Sequence, residues 1–207
     1  LQDVYPWVQE NRTRPGDLAL PTTVRWELKT LLLLAPFMEA DLGCGWDEEV
    51  LMVDASPDGY GVVSARFDEV DVRDLGRSAL GGFAGSVLEL PEWAVSKYPW
   101  RLAMRGKWTK DDHNNVHEVR SGTFGILHWA RRREFRRRRA VLLTDSQVAV
   151  GVRAKGRSRG QGLLYQARRQ AAVCLFCDVR VVCRYVPTEW NLADGPSRGT
   201  RWPCVGD

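Results

Sequence analysis

Two periods of apolar and polar residues alternate along the chain. Val50 to Val53 is an unbroken apolar run ending in Asp54, which reads as a strand buried on both faces. Ser56-Pro57-Asp58-Gly59 is a turn, and YGVVSARF, residues 60–67, reads as a second strand that pairs back antiparallel. The mixed stretch 68–100, with glycines at 81 and 82 and aromatics at Trp93, Tyr98 and Trp100, reads as a loop or insertion, followed by a third strand near 101–108. From His113 the period becomes helical: Val119, Gly122, Phe124, Ile126 and Trp129 form a rough apolar face. Asn114 or Asn115 is the expected N-cap, and Glu118 falls in the first turn. AVLLTDS is a strand that again ends in Asp, at Asp145. SQVAVGVRA and GLLYQARRQAAVCLFC read as a short and a longer helix, VRVVCRYVP as a strand, and TEWNLADGPSR as a loop running into a short turn or helix. Ahead of all this, TTVRWELKTLLLLAPF reads as a helix bounded by Pro21 and Pro36. The order of elements predicts a mixed α/β sheet with helices packed on it.

Composition narrows the picture. The 207 residues suit one domain and an extension, and 44% hydrophobic content is ordinary for a globular chain. The net charge of +4 hides local clusters: RRREFRRRR at 131–139, RAKGRSRG at 153–160, and an acidic stretch from Asp68 to Asp74. Such patches fit a surface for nucleic acid or another polyanion. The five cysteines have no regular spacing. Cys174 and Cys177 form a CxxC inside an apolar helical run, without a second pair at zinc-site spacing, so they read as buried thiols rather than metal ligands. No apolar run reaches the roughly 18 residues of a membrane span, and the N-terminus lacks the basic start of a signal peptide. The chain is therefore expected to be intracellular, cytoplasmic or nuclear, with no membrane partner. It has no initiator Met and is expected to be a piece of something longer.

Asp54, Glu118, Asp145 and Asp194 occupy comparable places: two strand exits, a helix start, and the loop after the last strand. Each alone has a plainer reading, as turn cap, helix-dipole charge, N-cap or loop carboxylate. Brought to one rim of a sheet, four carboxylates would repel one another unless cations were present. An all-oxygen set suits Mg²⁺ or Mn²⁺, and two such ions can assist phosphodiester cleavage.

VDASPDGYGVV, HNNVHEVRSG, VLLTDSQVAV and NLADGPSR together resemble the four blocks of a ribonuclease H domain, in the form carried by retroelement reverse transcriptases. HNNVHEVRSG and the Asn191–Arg198 ending are similar to the blocks of DIRS-like and related retrotransposons. The resemblance implies a ribonuclease H-like α/β fold, a mixed five-stranded sheet with flanking helices, over residues 48–200 with an insertion at about 68–112. Residues 1–47 resemble a polymerase connection, and 201–207 are a tail. It further implies Asp54, Glu118, Asp145 and Asp194 as catalytic, metal-binding residues holding two Mg²⁺, with Mn²⁺ as the alternative ion. The implied partners are an RNA–DNA hybrid, whose RNA strand is cut, and the remainder of a reverse-transcriptase polyprotein. RAKGRSRG stands where the family often carries a basic handle, so Arg153, Lys155, Arg157 and Arg159 are candidate phosphate contacts; Ser56, Ser146 and Gln147 are further candidates near the substrate. The sequence departs from the family at His117 and Val119, which flank Glu118 in place of leucines, and at the helix-weakening Gly122 and Gly125. Two other readings stay open: a non-catalytic module of the same fold within a larger nucleic-acid assembly, and a DNA nuclease or transposase.

Overall fold

The computed structural model describes residues 1–38, 41, 43–80, 91–200 and 202. The glycine pair at 81 and 82, Cys204 and nearly all of the tail lie outside them. The chain forms two compact units, Leu1–Leu42 and Gly43–Asp207.

The first unit holds α1 (Val4–Asn11) and α2 (Thr22–Leu34), the latter bounded by Pro21 and followed by a 3₁₀ turn over Ala35–Phe37. The Glu27 carboxylate on α2 accepts hydrogen bonds from the backbone N–H groups of Gln2, Asp3 and Val4 at 2.6, 2.9 and 3.1 Å. It thereby satisfies donors that the start of α1 would otherwise leave open.

The second unit is built on five strands: β1 (Glu49–Ala55), β2 (Gly59–Arg66), β3 (Arg101–Lys107), β4 (Arg139–Thr144) and β5 (Arg180–Tyr185). Their order is β3-β2-β1-β4-β5. β1, β2 and β3 form an antiparallel meander, while β4 pairs parallel to β1 and β5 parallel to β4. The expected ribonuclease H-like mixed five-stranded sheet with flanking helices is therefore what the chain forms.

Its central strand explains the unbroken apolar run. Val50 and Met52 point to one face, where they pack with Val63, Phe67, Val72, Leu75, Val141 and Leu143. Leu51 and Val53 point to the other, against Val62, Ile126, Trp129 and Leu142. A strand covered on both sides has no polar face to display. The second face is covered by α5 (Asn114–Ala130), and α6 (Gln147–Lys155) and α7 (Gln161–Cys177) join it through Val119, Ala149, Val152 and Ala167.

Three sequence expectations change. Part of the 68–100 stretch is a helix, α3 (Glu69–Leu80), followed by the short α4 (Trp93–Ser96). Its charges concealed it: Val72 and Leu75 are apolar and buried, while Asp71, next to Val72 in the helix, is tied to the Tyr98 hydroxyl at 2.6 Å and to Lys97 Nζ at 2.5 Å. Gly76 is where α3 crosses Trp46, and a Cβ there would stand 1.9 Å from the indole. The N-cap of α5 is neither asparagine but His113, whose Nδ1 accepts from the Asn115 N–H at 3.2 Å. Glu118 consequently sits in the second turn of α5, not the first. Among the described residues no helix is long and apolar enough to cross a membrane, and Cys44, Cys174, Cys177 and Cys183 are free.

Candidate metal centre

Val53↔Thr144 is the last pair between the parallel strands β1 and β4, so the next residues, Asp54 still on β1 and Asp145 just past β4, stand side by side at that rim. α5 starts at the same rim and carries Glu118 over it. Asp54, Glu118 and Asp145 each offer a carboxylate oxygen within 4.8 Å of the others. Asp54 and Glu118 are buried and Asp145 is half-buried.

Burial, with the charges of Asp145 and Asp194 behind it, raises the Asp54 carboxyl to about 6, although the Ser197 hydroxyl pulls the other way. Burial, followed by the charges of Asp54 and Asp145, raises Glu118 to about 8. Glu118 Oε2 is buried with no hydrogen-bond partner. A buried carboxylate oxygen without a donor is costly unless a cation or a proton meets it. An oxygen-only donor set under mutual repulsion, with one such open oxygen, fits a hard divalent cation.

Asp194 opens α8 (Asp194–Ser197) at the edge of this group. It is near enough for its charge to act on Asp54, but it is not one of the three whose oxygens cluster, and its Oδ1 accepts from Arg198 Nε at 2.8 Å.

The same C-terminal segment grips Asp54. Ser197 Oγ donates to Asp54 Oδ2, and Asn191 Nδ2 donates to Asp54 Oδ1 at 3.2 Å and to the Val53 carbonyl at 3.3 Å. Asn191 Oδ1 in turn accepts from the Ala193 N–H at 3.1 Å. Gly61, the partner of Asp54 across the hairpin, lets this segment lie directly on β2: a Cβ there would stand 2.5 Å from the Ala193 carbonyl. Asn191 and Ser197 were visible in the motif but not as partners of Asp54, because nothing in the sequence joins positions so far apart.

The other candidate residues are placed as follows. The Ser56 hydroxyl is buried in its own turn. It accepts from the N–H groups of Asp58 and Gly59, both at 3.2 Å, and donates to the Ser197 carbonyl at 2.8 Å. Ser146 Oγ caps α6 by accepting from the Ala149 N–H at 3.2 Å, with Gln147 exposed beside it. Lys155 is exposed at the end of α6, and Arg157 and Arg159 are exposed on the connection between α6 and α7. Arg153 is not on that surface. Its guanidinium turns inward to the Val181 carbonyl, Gln170 Oε1 and Cys174 Sγ, at 3.4, 3.4 and 3.2 Å. His117, beside Glu118, is buried and stacks on Trp108 with ring centroids 4.3 Å apart, and Trp108 Nε1 donates to the Ser56 carbonyl at 2.8 Å. These contacts tie the start of α5 to the turn after Asp54.

No family model matches the chain, and no curated protein does. Among solved structures it is similar to the N-terminal ribonuclease H domain of a Mycobacterium tuberculosis protein, with a TM-score of 0.44 and 13% identity over 73% of this chain and 95% of that one. It is also similar to the LC11 ribonuclease H1 in complex with RNA/DNA hybrid (TM-score 0.48, 13% identity, 73% and 95% covered). The protease–reverse transcriptase of prototype foamy virus is similar as well (TM-score 0.38, 12% identity), with 70% of this chain matching 18% of that one. The fold assignment itself rests on the strand order and pairing given above.

Proposed function

We propose that residues 48–200 form a divalent-metal-dependent endonuclease of the ribonuclease H type, which cleaves the RNA strand of RNA–DNA hybrids as part of a retroelement reverse transcriptase. The observation that carries this reading is the convergence of Asp54, Glu118 and Asp145 on one rim of the sheet, with a Glu118 oxygen buried and open. These three carboxylates would hold Mg²⁺ or Mn²⁺, with Asp194 completing the set from the edge. Bound there, two such ions would supply a nucleophile at neutral pH and neutralise charge on the phosphate and the leaving oxygen.

The chain's own contribution is position. Ser197 and Asn191 fix both oxygens of Asp54, so that carboxylate is oriented before any ligand arrives. The stack of His117 on Trp108 holds the first turns of α5 against the β1–β2 turn, and with them Glu118. Lys155, Arg157 and Arg159 follow α6 out of the Asp145 corner and offer exposed cations to a nucleic-acid backbone. Discrimination for RNA would come from 2′-hydroxyl contacts near the rim. In this reading Leu1–Leu42 belongs to the connection leading from the polymerase.

The test is incubation with Mg²⁺ or Mn²⁺ and end-labelled RNA–DNA hybrid, double-stranded RNA and double-stranded DNA in parallel. Cleavage confined to the RNA strand of the hybrid supports the reading. Cleavage of duplex DNA would move it to the transposase class, and no cleavage with either ion would leave a binding module.

A further inference from the structure

RRREFRRRR, one of the two basic clusters in the sequence, takes no part in the carboxylate site. It connects the end of α5 to the start of β4, whereas the carboxylates lie at the start of α5 and the end of β4. From Glu118 to Arg131 the helix alone spans about 20 Å. The cluster is therefore a separate surface on the opposite rim.

The fold sorts its arginines into two groups. Arg132 pairs with Asp47 at 2.8 Å and with Glu49 at 3.3 Å, Arg137 pairs with Asp178 at 3.5 Å, and Arg139 lies over the Trp46 ring at 5.5 Å. Arg131, Arg133, Arg136 and Arg138 are exposed, and no acidic side chain among the described residues pairs with them. Phe135 fixes the display: it is fully buried and stacks on Trp129 with centroids 5.2 Å apart, so the turn around it is held while its neighbours point outward. Beside Arg136 stands Phe176, near the end of α7. It is 80% exposed, and the Arg136 guanidinium lies 5.9 Å from its ring centroid.

An acidic protein surface would account for the arginines but not for a bare phenyl ring against one of them. Four exposed arginines without an acidic partner on one connection, one of them against an open aromatic ring, match what a single nucleic-acid strand offers, phosphates for the cations and a base for the ring. We propose that Arg131, Arg133, Arg136, Arg138 and Phe176 form a second nucleic-acid surface that binds a single-stranded segment, remote from the carboxylate rim and independent of sequence.

The test is fluorescence anisotropy of a labelled oligouridylate, titrated with the whole chain at several salt concentrations. Wild type should bind. Phe176→Ala should weaken binding about tenfold, and Phe176→Trp should retain it because indole keeps a stacking face. Replacing the four arginines by Gln should lower the slope of log affinity against log salt by about 0.7 for each phosphate no longer neutralised. All these side chains are exposed, so thermal midpoints should match wild type, and hybrid cleavage by Phe176→Ala at saturating substrate should be unchanged. Wild-type affinity in Phe176→Ala, an unchanged salt slope, or equal competition by polyglutamate would each overturn the proposal. A wild type that binds the strand without cutting hybrid would sink the nuclease reading and leave this surface standing.

Discussion

Ser197 donates its hydroxyl to Asp54 Oδ2 across 143 residues of sequence, and both groups are buried. That contact joins the last helical turn of the domain to its central strand, and it orients a carboxylate whose other oxygen is held by Asn191. Ser197→Ala leaves a buried carboxylate short of a donor. Stability should fall by about 1–3 kcal/mol, and Mg²⁺ should raise the thermal midpoint less than in wild type. Thermal melts with and without Mg²⁺ check both, and an unchanged midpoint would show that the hydroxyl does not hold Asp54.

Asp145→Asn keeps the shape of the side chain and removes one charge from the cluster. The amide is a poorer ligand for a hard cation. Hybrid cleavage should drop by orders of magnitude, equivalent to roughly 3–6 kcal/mol of transition-state stabilisation. The midpoint without metal should hold or rise, since one repelling member is gone. Single-turnover cleavage beside a melt separates the two effects, and near-normal cleavage would remove Asp145 from the centre.

The raised carboxyls make the metal-free chain sensitive to pH in a definite direction. Between the ordinary carboxylate range and the value of about 8 for Glu118, the folded state holds more protons than the unfolded state. Unfolding free energy from these groups therefore falls as pH rises through that window, the reverse of the usual salt-bridged acid. Denaturant titrations in EDTA at about pH 5 and about pH 8 should show the decline, and Glu118→Gln should flatten it. A steeper decline in the variant would contradict the assignment.

Gly61→Ala places a methyl carbon 2.5 Å from the Ala193 carbonyl. The segment carrying Asn191, Asp194 and Ser197 must then shift off β2. A loss of about 1–3 kcal/mol is expected, with cleavage falling alongside it. A fully active, equally stable variant would mean that the close approach is not needed.

How far the sequence foretold this arrangement depended on the distance over which each signal acts. The apolar run before Asp54 and the one before Asp145 are local; β4 ends at Thr144, just before Asp145, while β1 runs through Asp54 to Ala55. The helix bearing Glu118 was equally legible, but its cap was not, because a histidine ring took the role the asparagines suggested. α3 was missed because its charged residues mask the apolar face, and one of them, Asp71, is held by Tyr98 and Lys97, tertiary partners that no local pattern reveals. Arg153 illustrates the same limit: it sits in a basic stretch, yet a carbonyl, an amide and a thiol inside the fold claim it. The clamp on Asp54 joins positions more than 130 residues apart, and only the folded chain shows it.

That clamp also sets an order of events during synthesis. Asp54 leaves the ribosome well ahead of Asn191 and Ser197, on a strand that can pair with its neighbour at once. Until they dock, the hairpin carries a carboxylate with neither of its side-chain donors, and the acidic centre has no fixed geometry. A nascent or prematurely terminated chain lacking Asn191 and Ser197 would thus carry the sheet without a finished centre, so the domain is assembled before it is armed.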